Sequence, residues 1–155
     1  MSSSVVSRVI KSPPRSIYQA FLDPDALATW LPPDSMTGIV HSMDPHEGGS
    51  FSLSLIYPDD HTETQGKTDA KTDTVNGRFV ELVPDRKIVW ATQFDSPDLV
   101  FAGEMTMTVT LTPVGNDTRV ELRCDNIPAG VRPEDNEAGS RSSLGKLARF
   151  VEERR

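Results

Sequence analysis

Three histidines, a single cysteine and a few polar side chains at otherwise apolar positions are where this 155-residue chain could carry chemistry. His41, His46 and Glu47 stand around one turn, and His61 lies in a polar segment further on. A carboxylate–histidine metal site could be built from such a set. The spacing matches no metal-ligand motif, however, and turn histidines are ordinarily solvated, so no metal site is expected. Cys124 falls on the apolar face of a strand-like run, which predicts a buried, inert thiol rather than a nucleophile. No glycine-rich phosphate loop follows a strand and opens a helix, and a Ser/His/Asp arrangement is not readable from spacing. The sequence assigns no catalytic residue and no cofactor.

Two polar residues are conspicuous by position. Ser140 projects onto the same side of a helical pattern as Leu144 and Val151, in the middle of the apolar stripe, with Asn136 and Glu137 beside it. That half of the helix is too small and polar to pack tightly, so either it frays or it roofs a cavity. Arg78 shares strand parity with Val80 and Leu82. An inward Arg78 could pair with Glu137 or orient an anionic ligand, whereas a surface arginine at a strand end is the plainer reading.

The elements that must position these residues follow from periodicity. Leu144, Leu147, Ala148 and Val151 recur at i, i+3, i+4 and i+7, the stripe of an amphipathic helix spanning Pro133 to Glu153. Pro133 suits the first helical position, Glu134 and Asp135 the positive end of the dipole, and Arg149, Arg154 and Arg155 the other end. At the other end of the chain, Val5–Ile10 reads as a strand and Ser12–Pro13 as a helix start, with Ile17, Ala20 and Phe21 on one face. Asp23–Pro24 opens a second short helix carrying Leu27, Trp30 and Leu31, which Pro32–Pro33 stops. Trp30 reads as core or as the rim of a pocket.

Beyond Gly38 the period becomes two. Strands are expected over 39–43, 51–55, 75–83, 88–94, 101–112 and 120–124, separated by turns at Glu47-Gly48-Gly49, Pro84-Asp85, Ser96-Pro97-Asp98 and Gly115-Asn116-Asp117. Glu121 and Arg123 are placed to pair across strands with Glu104 or its neighbours. The segment Pro58 to Lys71 holds no large apolar residue and is expected to be an exposed, mobile hairpin extension. The order β-α-α-β-β-β-β-β-β-α predicts one α+β domain over residues 1–155, a curved antiparallel sheet gripping the C-terminal helix.

Composition narrows the partners. Sixteen Lys plus Arg against 23 Asp plus Glu give a net charge of −7 with no basic cluster, so neither nucleic acid nor an anionic membrane is an expected partner. There is no transmembrane-length apolar run and no signal peptide, and one cysteine suits a reducing compartment, so a cytoplasmic protein is expected.

The stretches Gly77–Pro84 (GRFVELVP), Ile88–Trp90 (IVW) and Gly103–Leu111 (GEMTMTVTL) resemble a known family, as do Arg8–Pro14, Asp23–Leu31, Ile127–Pro133 and Leu144–Leu147. The chain is similar to the domain related to the C-terminal part of activators of the 90-kDa heat-shock protein ATPase, in the START-like (SRPBCC, helix-grip) superfamily. The resemblance implies a helix-grip fold, ligand binding between sheet and helix, and a link to stress response; it implies no shared catalytic set. Relatives often carry Trp where this chain has Ser140 and an aromatic near Val75, so the interior here is expected to be larger. The separate N-terminal domain of the eukaryotic co-chaperones is not in this sequence, so chaperone activation does not follow from the likeness.

The function expected is binding of a small, mostly apolar ligand in a hydrophobic cavity. From parity, Trp30, Phe51, Leu53, Leu55, Trp90, Phe94, Met105, Met107, Ser140, Leu144 and Leu147 line it, with Arg78 near its open end. A co-chaperone-like protein-interaction module and a cyclase- or hydrolase-like enzyme on the same fold are the alternatives. A large exposed apolar patch would favour the first, and a buried His or Glu in the cavity the second.

Overall fold

A computed structural model describes residues 2–58 and 72–153. The Pro58–Lys71 extension expected from the sequence lies, but for Pro58, outside the described residues, and so does His61. Seven strands form one antiparallel sheet in the order β1-β7-β6-β5-β4-β3-β2. They are β1 (Ser2–Ile10), β2 (Thr37–Met43), β3 (Ser50–Ile56), β4 (Thr72–Val83), β5 (Lys87–Phe94), β6 (Met105–Val114) and β7 (Asp117–Ile127). Helices α1 (Pro14–Leu22) and α2 (Pro24–Trp30) carry the chain from β1, at one edge, to β2 at the other. The long α3 (Pro133–Glu152) returns and packs on β1, α1 and α2. This is the helix-grip architecture, and among the described residues no helix is long and apolar enough to cross a membrane.

Local chemistry explains most boundaries. The Asp23 carboxylate accepts the amide hydrogens of Asp25 and Ala26 at 2.9 and 3.3 Å, capping α2 as its Asp-Pro start requires. The start of α1 lies one residue later than Ser12–Pro13 suggests. Pro14 takes the first helical position and holds Pro13 extended (φ −70°, ψ 155°), because a residue before proline avoids the helical region. Ser12 is consequently not the cap. It is buried, its carbonyl accepts Thr118 Oγ1 at 2.8 Å, and its own hydroxyl has no partner. The strand expected from Phe101 begins only at Met105. Asp98 accepts the Val100 amide at 3.1 Å and winds Leu99–Phe101 into one turn of 3-10 helix, after which Gly103 takes a left-handed φ of 101°.

The core occupies the concave side of the sheet beneath the C-terminal half of α3. Leu144, Leu147, Ala148 and Val151 are buried there with Val6, Ile10 and the faces of α1 and α2. Trp30 is fully buried. Its indole N–H donates to the Ala20 carbonyl at 2.9 Å, and its ring meets Phe21 edge-on at 4.7 Å, which locks the two short helices together. Phe51, Phe79 and Trp90 continue this aromatic cluster along the sheet.

The Arg78 parity is corrected by a β-bulge between Phe79 and Glu81. Glu47 accepts the Leu82 amide at 2.9 Å, and Gly48 and Gly49 pair with the Phe79 backbone, so the turn after β2 pins the irregularity. Val75 and Phe79 face the core on one side of the bulge and Leu82 on the other, and Arg78 is left on the outer face. There its guanidinium pairs with Glu104 at 2.8 Å, so it meets neither Glu137 nor the interior. Arg123 pairs with Asp125 at 3.0 Å rather than with Glu104.

Candidate functional site

The N-terminal half of α3 meets the sheet through small polar side chains only. Where Leu144 and Leu147 fill the C-terminal half, the preceding turns offer Asn136, Gly139, Ser140 and Ser143, and a cavity of about 520 Å³ lies beneath them. Phe51, Leu53 and Leu55 of β3, Trp90 and Phe94 of β5, and Met105 and Met107 of β6 form its floor. These residues share one face because strand side chains alternate, and β3, β5 and β6 each turn that face toward α3. Gly77 lets the Phe51 ring lie across the sheet. A Cβ there would fall onto Phe51 Cζ and 2.8 Å from the Ala91 carbonyl oxygen.

Two polar groupings interrupt the apolar lining. At the inner end, Cys124 pairs across strands with Ser4, and its thiol is within hydrogen-bond reach of Ser4, Ser140 and Asn136. The Ser4 hydroxyl also donates to Asn136 Oδ1 at 2.6 Å, and the Asn136 amide reaches Met105 Sδ at 3.9 Å. Burial pushes the Cys124 thiol up from its ordinary value, and those hydrogen bonds only partly oppose the shift. The thiol is 2 % exposed and protonated at neutral pH, as an inert cysteine would be.

At the outer end, the Tyr57 hydroxyl donates to Asp73 Oδ2 at 2.8 Å. Asp73 is buried (3 % exposed) on the inward face of β4, two residues before Val75. Burial first, then the Asp73 charge and hydrogen bond, hold the Tyr57 phenol above its usual range. Asp34 and Asp135 complete the rim. Among the described residues the lining contains no Lys, Arg, His or Glu.

Of the residues expected at the site, the structure brings Phe51, Leu53, Leu55, Trp90, Phe94, Met105, Met107 and Ser140 to one cavity. Four lie elsewhere. Trp30, Leu144 and Leu147 are sealed in the core beyond the cavity's inner end, and Arg78 is on the outer face of the sheet. Tyr57, Asp73 and Thr92 line the cavity in addition to the residues expected there. Carrying the alternation one step past Leu55, before Val75 and before Phe94 would have found all three. Leu31 and Met36, at the α2–β2 connection, carry no such signal. The two described histidines are occupied separately: His41 Nε2 lies 2.8 Å from Ser54 Oγ, and exposed His46 lies 3.6 Å from Asp44. Among the described residues no group of three or more His, Cys, Asp or Glu is placed to hold a metal.

The family model described as Activator of Hsp90 ATPase homolog 1-like protein matches residues 11–152. A crystal structure of a protein from Chromobacterium violaceum is 32% identical over 97% of this chain and 96% of its own, with a TM-score of 0.86. One from Rhodobacter sphaeroides is 18% identical over 99% and 94%, with a TM-score of 0.77. A solution structure of a protein from Arthrobacter aurescens is 16% identical over 97% and 86%, with a TM-score of 0.78. The last two speak to the fold alone. A search of curated proteins gave no match.

Proposed function

The chain belongs to the Activator of Hsp90 ATPase homolog 1-like family, and we propose that it binds a small, mostly apolar ligand in the cavity between α3 and the sheet. One observation carries this reading. Beneath Gly139, Ser140 and Ser143 there is about 520 Å³ of space with an apolar floor and a few clustered polar groups. Small-molecule sites commonly occupy ~300–1,000 Å³ and have that mixture of wall and anchor. Large side chains on α3 would have filled the space as they do one turn further on.

The test is an amide chemical-shift titration with decanol, which has an apolar chain and no charge. Saturable shifts are expected at Val75, Thr92, Cys124 and Ser140, and none at Val9 or Val114 on the outer face. Absence of saturation, or shifts confined to the outer face, would end the reading.

A second reading, a protein-interaction module of the kind the family description names, has one observation in its favour. Leu99 is 86 % exposed, beside Val100 at 45 %. No stimulation of an Hsp90 ATPase is expected at micromolar concentration. Dose-dependent stimulation that Leu99→Asp abolishes would replace the ligand reading.

A further inference from the structure

We infer that residues 33–36, in the connection between α2 and β2, form a strap that swings away from α3 to admit the ligand, with Ser142 as its latch. The inference rests on the ligand-binding reading and adds the way in. Place is the first observation. Pro33, Asp34 and Met36 line the cavity, with Asp34 on its rim, so the segment is part of the wall at the mouth. The second is how the segment is held. The Asp34 amide donates to Ser142 Oγ at 2.7 Å, in an exposed pair. Just before it, Ser143 Oγ and Lys146 Nζ donate to the carbonyls of Leu31 and Pro32, each at 2.5 Å. Pro32 is also buried against Gly38, where a Cβ would fall 2.7 Å from its ring. The base of the strap is therefore pinned by two bonds and by packing. Its tip is latched to α3 by the Ser142 bond, for which water competes.

Packing and strain complete the argument. A Cβ at Gly139 would still lie 3.9 Å from Pro33, so strap and helix are not jammed together at the tip. Asp34 and Ser35 are exposed, and only Pro33 and Met36 give up partial burial when the tip lifts. Asp34 is held at φ 53°, a left-handed conformation that costs a non-glycine residue energy and that opening relieves. Pro32 and Pro33 fix the backbone at the base, so the tip moves as a unit. A segment pinned at one end, strained and lightly latched at the other, and set at the mouth of a cavity has the makings of a gate.

The experiment is stopped-flow binding of the neutral dye N-phenyl-1-naphthylamine to the wild-type chain and to Ser142→Ala. Ser142 does not line the cavity, and alanine suits a helix. In the wild type the observed rate should level off as dye is raised, because opening of the strap then limits binding. Ser142→Ala should raise that plateau and the dissociation rate together, by about threefold to tenfold, the worth of one hydrogen bond. Equilibrium affinity should stay the same, since the latch is lost from the free and the bound protein alike. Ser142→Thr, which keeps the hydroxyl, should restore the wild-type rates, and amide exchange at Asp34 should be faster in Ser142→Ala alone. A wild-type rate that climbs linearly with dye throughout, or rates that Ser142→Ala leaves unchanged, would overturn the strap and leave the cavity reading standing. A faster dissociation alone, with affinity lost, would make Ser142 an ordinary binding contact and overturn it too. A dye that does not bind saturably at equilibrium overturns the cavity reading itself, so the two failures are distinct.

Discussion

Replacing Ser140 by Trp puts the cavity reading at risk in one step. An aromatic side chain buries roughly 150–250 Å² when fully enclosed. This cavity opens at its outer end, so about half of that is credited, and ~100 Å² at ~25 cal/mol per Å² is worth about 2.5 kcal/mol. Against this, Ser140 loses its contact with the Cys124 thiol, a hydrogen bond worth about 1 kcal/mol. Fixing the indole costs a further ~0.5–1 kcal/mol of rotamer entropy. The net expectation is a gain of about 0.5–1 kcal/mol, read as a rise of roughly 1–4 °C in Tm for a chain of this size. Affinity for N-phenyl-1-naphthylamine should fall at the same time, because the ring takes the dye's space. If α3 instead sits tightly on the sheet, the substitution overpacks and costs about 1–3 kcal/mol. A destabilised Ser140→Trp with unchanged dye binding would refute the reasoning, and one denaturation curve plus one titration decides.

Three further outcomes are expected. Gly77→Ala should cost about 1–3 kcal/mol and weaken dye binding, since its Cβ would displace the Phe51 ring from the cavity floor; urea denaturation checks it. Gly145→Ala, whose Cβ would come no closer than 3.8 Å to the end of the Arg8 side chain, should stabilise α3 by about 0.5–1 kcal/mol and leave the dye untouched. The folded protein holds the Tyr57 phenol above its ordinary value of 10.0, so the folded state binds the proton more tightly than the unfolded one. The stability this contributes is complete below about pH 10 and is lost as pH rises through the folded value. Tyr57→Phe should therefore flatten the alkaline decline in a series of melts above pH 10, and an unchanged slope would assign that decline to other groups.

What the sequence could convey was decided by how far each feature acts. Asp23–Pro24 caps α2 through its own next two amides, and Phe51, Leu53 and Leu55 face one way because a strand alternates. Neither needs knowledge of a distant partner, and both were legible. The stripe on α3 was legible too, but only as a direction around the helix axis. It names the buried face without saying how far the sheet lies from it at each turn. Leu144 and Leu147 therefore looked like neighbours of Ser140 at a site, whereas they are buried in the core, where α3 packs on β1, α1 and α2, and only Ser140 lines the cavity. Trp30 misled in the same way, because a rim and a core have the same local pattern. Arg78 failed for a different reason. Its orientation depends on a bulge held by Glu47, a residue 31 positions earlier whose carboxylate meets the Leu82 amide. Parity counting assumes an unbroken ladder, so one inserted residue inverts the assignment. The same break goes with an Arg78 guanidinium on the outer face, against Glu104. The side on which Arg78 lies is thus tied to a turn that is not part of the cavity lining.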